Sequence, residues 1–258
     1  MCGITGLINI DGAPVSPVIL KRMTDAIAHR GPDGEGQWIE GNVGLGHRRL
    51  AIIDLSPAGH QPMISSDHRY VLSYNGEVYN YRELRTDLEA EGVWFRSQTD
   101  SEVVLNALAH WGTDALLKFN GMFAFAIYDK EKQKLFIVRD RLGIKPVYYY
   151  NSAAAFRIAS EIKQFTAFSD FTAEANKEKL YHYLNTGDFS FDSGTMWKNV
   201  FELEPGHCIE LDLSTWKPGG AITPRRWYAP PFGQLLDISY EDAVSEFRAR
   251  LDQSVKFR

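Results

Sequence analysis

The sequence predicts an α+β fold in which mainly antiparallel sheets pack on one another and helices flank them. Three observations predict it. Four short runs rich in aromatic and β-branched residues, 122–129, 135–140, 147–151 and 156–160, follow one another with only turn residues between them. Helical periodicity is confined to other parts of the chain, so strands do not alternate one by one with helices as a parallel βαβ sheet requires. The run Gly121-Met122-Phe123-Ala124-Phe125-Ala126-Ile127-Tyr128 is apolar without interruption, which places one strand between two layers.

The elements follow in order. Residues 4–10 form an apolar strand introduced by Gly3, and residues 20–28 carry apolar positions at helical spacing. Residues 43–54 and 70–74 read as strands, and 81–91 as a helix stopped by Gly92. A further helix starts at Thr99. Glu102 three residues on completes a capping-box pattern, and Val103, Val104, Ala107, Leu108 and Trp111 form its apolar face. After the strand-rich stretch, Gly206-His207-Cys208-Ile209-Glu210-Leu211 alternates as another strand. Residues 216–220 and 228–233 are rich in Pro and Gly and read as loop or linker. Ser239 and Asp242 then open an amphipathic helix over 240–256, with Val244, Phe247, Leu251 and Val255 as its stripe. That stripe calls for a cover, from a further domain or from a second copy in a homodimer.

Composition removes several function classes. The chain has 258 residues, 44% of them hydrophobic, which is enough for a substantial core. A net charge of -5 with no Lys/Arg block argues against nucleic acid or an anionic membrane as main partner. Two cysteines, Cys2 and Cys208, are too few for a disulfide scaffold, and Cys208 reads as a small buried hydrophobe. No basic leader, membrane-length apolar run or myristoylation glycine is present, so a cytoplasmic location is expected. The His and Cys spacing matches no metal site. The tyrosines at 148–150 and the tryptophans are expected in the core or at interfaces.

The chemistry-bearing candidates begin with Cys2. If Met1 is removed, Cys2 carries both a thiol and a free α-amine, whose pKa of about 7.7–8.0 suits it as a base at neutral pH. That pair is a self-contained nucleophile. Four polar clusters follow: His29-Arg30-Gly31-Pro32-Asp33, Gly46-His47-Arg48-Arg49-Leu50, Tyr74-Asn75-Gly76-Glu77 and Gln98-Thr99-Asp100-Ser101. Each also has a purely structural reading. Asn75-Gly76 is a strong hairpin-turn signal. Asp100 suits a helix dipole, and Arg49 an ordinary surface cation. His29 and His47 read as structural hydrogen-bonding groups.

These runs, in this order, together with Gly121-Met122-Phe123-Ala124-Phe125 and Arg139-Asp140-Arg141-Leu142-Gly143-Ile144-Lys145-Pro146, resemble the glutaminase domain of glutamine-hydrolysing asparagine synthetase. That domain is a class II glutamine amidotransferase and an N-terminal-nucleophile hydrolase. The resemblance implies a four-layer αββα sandwich of two packed sheets. It implies Cys2 as nucleophile, with the Asn75 side chain and the Gly76 N–H as oxyanion hole. It further implies Arg49, not Arg48, on the substrate carboxylate, Asp100 and Glu77 on its amino group or nearby polar atoms, and Leu50, Ile52 and Ile53 lining the L-glutamine pocket. Residues 1–215 would form the glutaminase domain, and 216–258 a linker plus the first helix of a truncated synthetase domain.

The glutaminase step would need no cofactor, whereas the missing synthetase domain, the ammonia acceptor, would use ATP and Mg²⁺. Its Ser-Gly-Gly-x-Asp-Ser type loop does not occur in the sequence, nor does a Walker A pattern. Alone, this chain would be at most a glutaminase. Three other readings stand beside this one: the same glutaminase serving a sugar or natural-product carboxylate acceptor, a non-catalytic amidotransferase-like binding domain, and β-lactam-synthetase-like chemistry. The presence of Cys2 argues against the last two.

Overall fold

The computed structural model describes residues 1–189, 192–217, 220–233, 235 and 237–257. The chain opens with β1 (Gly3–Asn9) and α1 (Pro17–Asp25), then the pair β2 (Gly34–Glu40) and β3 (Val43–Arg49). Next come β4 (Met63–Ile64), β5 (Tyr70–Val78), α2 (Tyr81–Ala90), α3 (Asp100–Trp111) and the short α4 (Ala115–Lys118). The strand-rich stretch holds β6 (Gly121–Asp129), β7 (Lys134–Arg139), β8 (Tyr148–Asn151) and β9 (Ala155–Ala159). Then follow α5 (Lys177–Thr186), β10 (Val200–Glu202), β11 (His207–Asp212), β12 (Arg225–Arg226) and α6 (Tyr240–Lys256).

The strands form two sheets, in the orders β10-β8-β9-β1-β3-β2 and β12-β11-β7-β6-β5-β4. Neighbours are antiparallel throughout. Period-two alternation sends successive side chains to opposite faces, so one strand feeds two cores. In β6, Phe123, Phe125 and Ile127 pack with α2 and α3 residues such as Leu84, Leu88, Val104 and Leu108. Ala124, Ala126 and Tyr128 from the same strand join Ile4, Ile8, Leu45, Phe156 and Ile158 between the sheets. A third cluster joins Leu7 of β1 to Leu20 and Met23 of α1 and to Phe165. Three cores between four layers make the expected αββα sandwich. The uninterrupted apolar run of β6 therefore has the cause assigned to it.

Several local readings differ from the structure. The strand read over 43–54 ends at Arg49, because the following residues leave the sheet to form a loop over residues 50–62. The glycine-rich β2 lacks an apolar alternation of its own and is held in the sheet by a full ladder to β3, from Gly34↔Arg49 to Glu40↔Val43. The α5 helix was not read, although the Asn176 side chain caps its start and Gly187 (φ 73°) its end. Half of the expected capping box forms at α3: Thr99 Oγ1 accepts from the Glu102 N–H at 3.1 Å. Glu102 itself turns to the N–H groups of Arg96 and Ser97 instead. Trp94 is 72% exposed, so it is not one of the core tryptophans.

Cys208 is buried, and both cysteines are free thiols. Of the breaker-rich run at 216–220, Pro218 and Gly219 lie outside the described residues. Trp216 and Ile222 pack on the inter-sheet core, and Trp227 Nε1–H donates to the Arg139 carbonyl at 3.1 Å. The α6 stripe is exposed at Val244, Phe247, Leu251 and Val255. Among the described residues no helix is long and apolar enough to cross a membrane.

Candidate active site

A cleft of about 200 Å³ opens where the ends of β1 and β3 face β5 and the start of α3. At about 30 Å³ per water volume it admits a molecule the size of one amino acid. Cys2, Arg49, Leu50, Ile52, Ile53, Asn75, Gly76, Glu77 and Asp100 all line it. Tertiary structure thus brings together, from four separate stretches of chain, the residues to which the resemblance gives a site role, while the run at 29–33, His47 and Arg48 lie outside the cleft lining.

Cys2 sits one residue before β1, where the Gly3↔Arg48 register sets it beside the end of β3. The Leu50 N–H donates to Sγ at 3.3 Å, and the thiol in turn reaches the Leu50 carbonyl at 3.6 Å. Burial pushes the Cys2 thiol up, and Asp100 adds to this; the Leu50 contact, the Met1 ammonium and Arg49 only partly oppose it. At neutral pH Cys2 is therefore a thiol rather than a thiolate, and it needs a base to become a nucleophile. No histidine is among the described residues that line the cleft. His47 is fully buried on the Tyr74 carbonyl (2.9 Å), and burial holds it down at about 3. It does not line the cleft. While Met1 is attached, the nitrogen of Cys2 is an amide and cannot serve.

Arg49 ends β3 and is anchored by the loop that follows. Its Nη1 donates to the Ser56 carbonyl at 2.9 Å, and Nη2 to the Asp54 carbonyl. The loop is shaped by Asp54, which accepts the Ser56 N–H at 2.8 Å, and by Asp33, whose carboxylate accepts the Ala51 N–H at 2.9 Å. Arg48, the adjacent residue, turns to the other face and pairs with Asp25 and with Glu35 at 2.7 Å.

Asn75 and Gly76 do not form a hairpin turn. They lie inside β5, opposite Ala124 and Phe123 of β6. Asn75 is 1% exposed, and its Nδ2 is a buried donor without a hydrogen-bond partner. An orphaned buried donor costs about 1–3 kcal/mol, so it calls for an explanation. Gly76 is constrained by close approach: a Cβ there would lie 2.4 Å from the Met122 carbonyl oxygen.

Asp100 opens α3, where it suits the helix dipole, yet it also does more. Its Oδ2 accepts from the Tyr74 hydroxyl at 2.8 Å and from the Val78 N–H at 3.1 Å. Burial pushes its carboxyl up to about 6, and Glu77 adds to the rise against the opposing hydrogen bonds. Gln61, Ser101, Met122 and Lys145 also line the cleft and were not singled out from sequence. Gln61 ties the walls together: it accepts the Tyr74 N–H at 2.7 Å and donates to Ser101 Oγ at 3.3 Å. Lys145 is set by a turn whose N–H groups converge on the Asp140 carboxylate, at 2.9 Å from its own nitrogen. Its only sequence signal was membership of the 139–146 run. Among the described residues no group of three or more His, Cys, Asp or Glu side chains is placed to hold a metal ion.

The four-layer sandwich is shared with a solved amidotransferase structure. It matches the glutamine phosphoribosylpyrophosphate (PRPP) amidotransferase from B. subtilis, complexed with ADP and GMP, with a TM-score of 0.63. Identity is 18%, over 88% of this chain and 49% of that one. The chain belongs to the glutamine amidotransferase domain family, whose profile matches residues 1–226. It is an enzyme domain of the class that takes the amide nitrogen of glutamine. It is 34% identical over 258 residues to asparagine synthetase [glutamine-hydrolyzing] 3 of Bacillus subtilis (strain 168), covering 99% of this chain and 41% of that protein. It is 40% identical over 233 residues to putative asparagine synthetase [glutamine-hydrolyzing] 2 of Methanocaldococcus jannaschii, covering 83% of this chain and 44% of that protein. The chain thus spans about two fifths of the length of the curated relatives it matches.

Proposed function

We propose that this chain hydrolyses L-glutamine to glutamate and ammonia with Cys2 as nucleophile, after loss of Met1. The freed α-amine takes the thiol proton, and the sulfur attacks the δ-carbonyl carbon. Asn75 Nδ2 and the Gly76 N–H receive the resulting oxyanion. The protonated amine returns its proton to the leaving nitrogen, ammonia departs, and a γ-glutamyl thioester remains for water to hydrolyse. Arg49 holds the substrate carboxylate with its two-pronged guanidinium. Asp100 and Glu77 receive the ammonium group, while Leu50, Ile52 and Ile53 wall the aliphatic part. The observation that supports this reading most is the unpartnered Asn75 Nδ2 buried at the cleft that also holds Cys2.

We further propose that residues 1–215 are the glutaminase unit, with the segment through Tyr228 sealing its sheet edge. Residues beyond it lead toward an acceptor domain. In the longer protein, that domain would use ATP and Mg²⁺ to amidate aspartate with the ammonia released here. The names of the two relatives support this acceptor. Glutamate release by the purified chain, combined with its intact mass, tests the glutaminase reading. Activity is expected only in the fraction that has lost Met1, and activity in fully Met1-retaining protein would refute the α-amine as base.

Arg49→Ala is expected to raise KM for glutamine with little change in kcat, because it removes binding made in both ground and transition states. A large fall in kcat at unchanged KM would contradict the assignment.

The pH profile of kcat/KM carries two expected breaks. Below about 8 the α-amine protonates and the slope of log kcat/KM becomes about one. Asp100 binds the substrate ammonium only as a carboxylate. That charge is present above its raised pKa of about 6 and lost below it, so the slope steepens there. In Asp100→Asn the lower break disappears and the upper one stays; a profile identical to wild type would rule Asp100 out of the binding site.

A further inference from the structure

Once Met1 is gone, Cys2 has no preceding residue to hold it. Its thiol and its amine both hang from one Cα at a chain end, and the only main-chain acceptor left to grip is its own carbonyl. That carbonyl accepts a hydrogen bond from Arg30 Nε at 2.9 Å. The arm of Arg30 lies across the start of β1, where Gly3 leaves it space: a Cβ at Gly3 would be 3.3 Å from Arg30 Cδ and 2.4 Å from Ile27 Cδ1. Arg30 is 8% exposed, and a charge buried to that degree needs a counter-ion. Glu161 supplies it, accepting from Arg30 Nη1 at 3.1 Å.

Glu161 belongs to a short segment, residues 160–164, that grips the N-terminal strand at several points. The Ile4 N–H donates to Ser160 Oγ at 2.9 Å, and the Ser160 N–H returns a bond to the Ile4 carbonyl at 3.2 Å. Gln164 Nε2 donates to Thr5 Oγ1 at 2.7 Å, while Gln164 Oε1 accepts the Glu161 N–H at 2.9 Å. Ser160 and Gln164 are fully buried. Glu161 also accepts from His29 Nε2 at 2.9 Å and pairs with Lys163 at 3.0 Å. Burial works to raise its pKa, but the donors from Lys163, Arg30 and His29 outweigh this and hold its carboxyl at about 2, so it remains ionised across the working range.

We propose that Glu161 is a positioning residue for the Cys2 nucleophile, acting through Arg30 on the Cys2 carbonyl. It touches neither substrate nor sulfur. Its effect is to hold one rotation of the terminal residue, in which the amine can reach the thiol and the thiol faces the substrate amide. The proposal rests on Cys2 being the nucleophile with its own amine as base.

The test uses Glu161→Ala and Glu161→Gln in the processed chain. Glu161→Ala is expected to lower kcat about 10–100-fold with KM within about twofold of wild type, since misplacement of a reacting group by about 1 Å can cost that much. Glu161→Gln keeps an acceptor for Arg30 and is expected to recover part of the loss. Alkylation by iodoacetamide gives a readout independent of glutamine: Cys208 is buried, so the reaction reports Cys2. Its rate at neutral pH should fall in Glu161→Ala by about threefold or more, as the amine no longer assists the thiol. Unchanged kcat and unchanged alkylation would overturn the proposal. So would equal losses in both variants with KM raised and Tm lowered, the pattern of a merely structural residue. If alkylation slows as expected but wild-type protein releases no glutamate, the clamp stands and the glutaminase reading fails.

Discussion

Cys2→Ala is expected to lower kcat for glutamine hydrolysis by at least about 10⁴-fold, because removal of a nucleophile leaves only oxyanion stabilisation and binding to act on the amide. The effect is large for a reason visible in the cleft. No second thiol lines it, and no histidine among the described lining residues stands ready to activate water in place of Cys2. Glutamine binding should persist, since the groups assigned to its carboxylate and ammonium, Arg49 and Asp100, are untouched. Thermal stabilisation by glutamine therefore serves as the control beside the glutamate-release assay. Glutamate release within about a hundredfold of wild type would remove Cys2 from the mechanism.

Asn75→Ala ranks second, with an expected loss of about 10²–10³-fold in kcat and little change in KM. An oxyanion donor acts only as charge develops on the amide oxygen, so its removal is felt in the transition state and not in binding. The stability consequence separates this role from a structural one. Asn75 Nδ2 makes no hydrogen bond in the folded chain, so the substitution removes an unsatisfied buried donor. Stability should stay within about 1 kcal/mol of wild type or rise. A clear drop in Tm with kcat unchanged would show that Asn75 supports β5 and does nothing for the reaction.

Much of the architecture was legible because it is written in short-range periodicity. The uninterrupted apolar run of β6, the stop of α2 at Gly92, the apolar faces of α3 and α6, and the caps at Thr99 and Ser239 all follow from residues within a few positions of one another. The missed α5 carries local caps at Asn176 and Gly187, but the other differences come from residues distant in sequence. Asn75-Gly76 reads as a turn when only its neighbours are considered, yet Ala124 and Phe123 of β6 pair with it and keep it extended. The strand read over 43–54 was cut at Arg49 because the next residues are drawn away by Asp33 and by the loop carbonyls that seat the guanidinium. The weakly patterned β2 exists because β3 offers it a ladder.

The same division runs through the site. The sequence by itself carried the N-terminal cysteine, the polar clusters, and the order of motifs that marks a glutamine amidotransferase. It also carried the rule that two adjacent strand residues face opposite ways, which is why Arg48 and Arg49 have different fates. The resemblance named Arg49 rather than Arg48 for the substrate, and the tertiary structure accordingly places Arg49 at the cleft and turns Arg48 to Asp25 and Glu35. Only the fold could place Gln61 and Lys145 at the cleft with Cys2 and residues 74–77, set Glu161 on Arg30, leave Asn75 Nδ2 without a partner, and bury Asp100 deeply enough to push its carboxyl up to about 6. The physical reason is one of range. Side-chain direction along a strand or helix is set by a residue's own backbone, whereas proximity across sheets, desolvation and unmet hydrogen-bonding capacity are properties of packing.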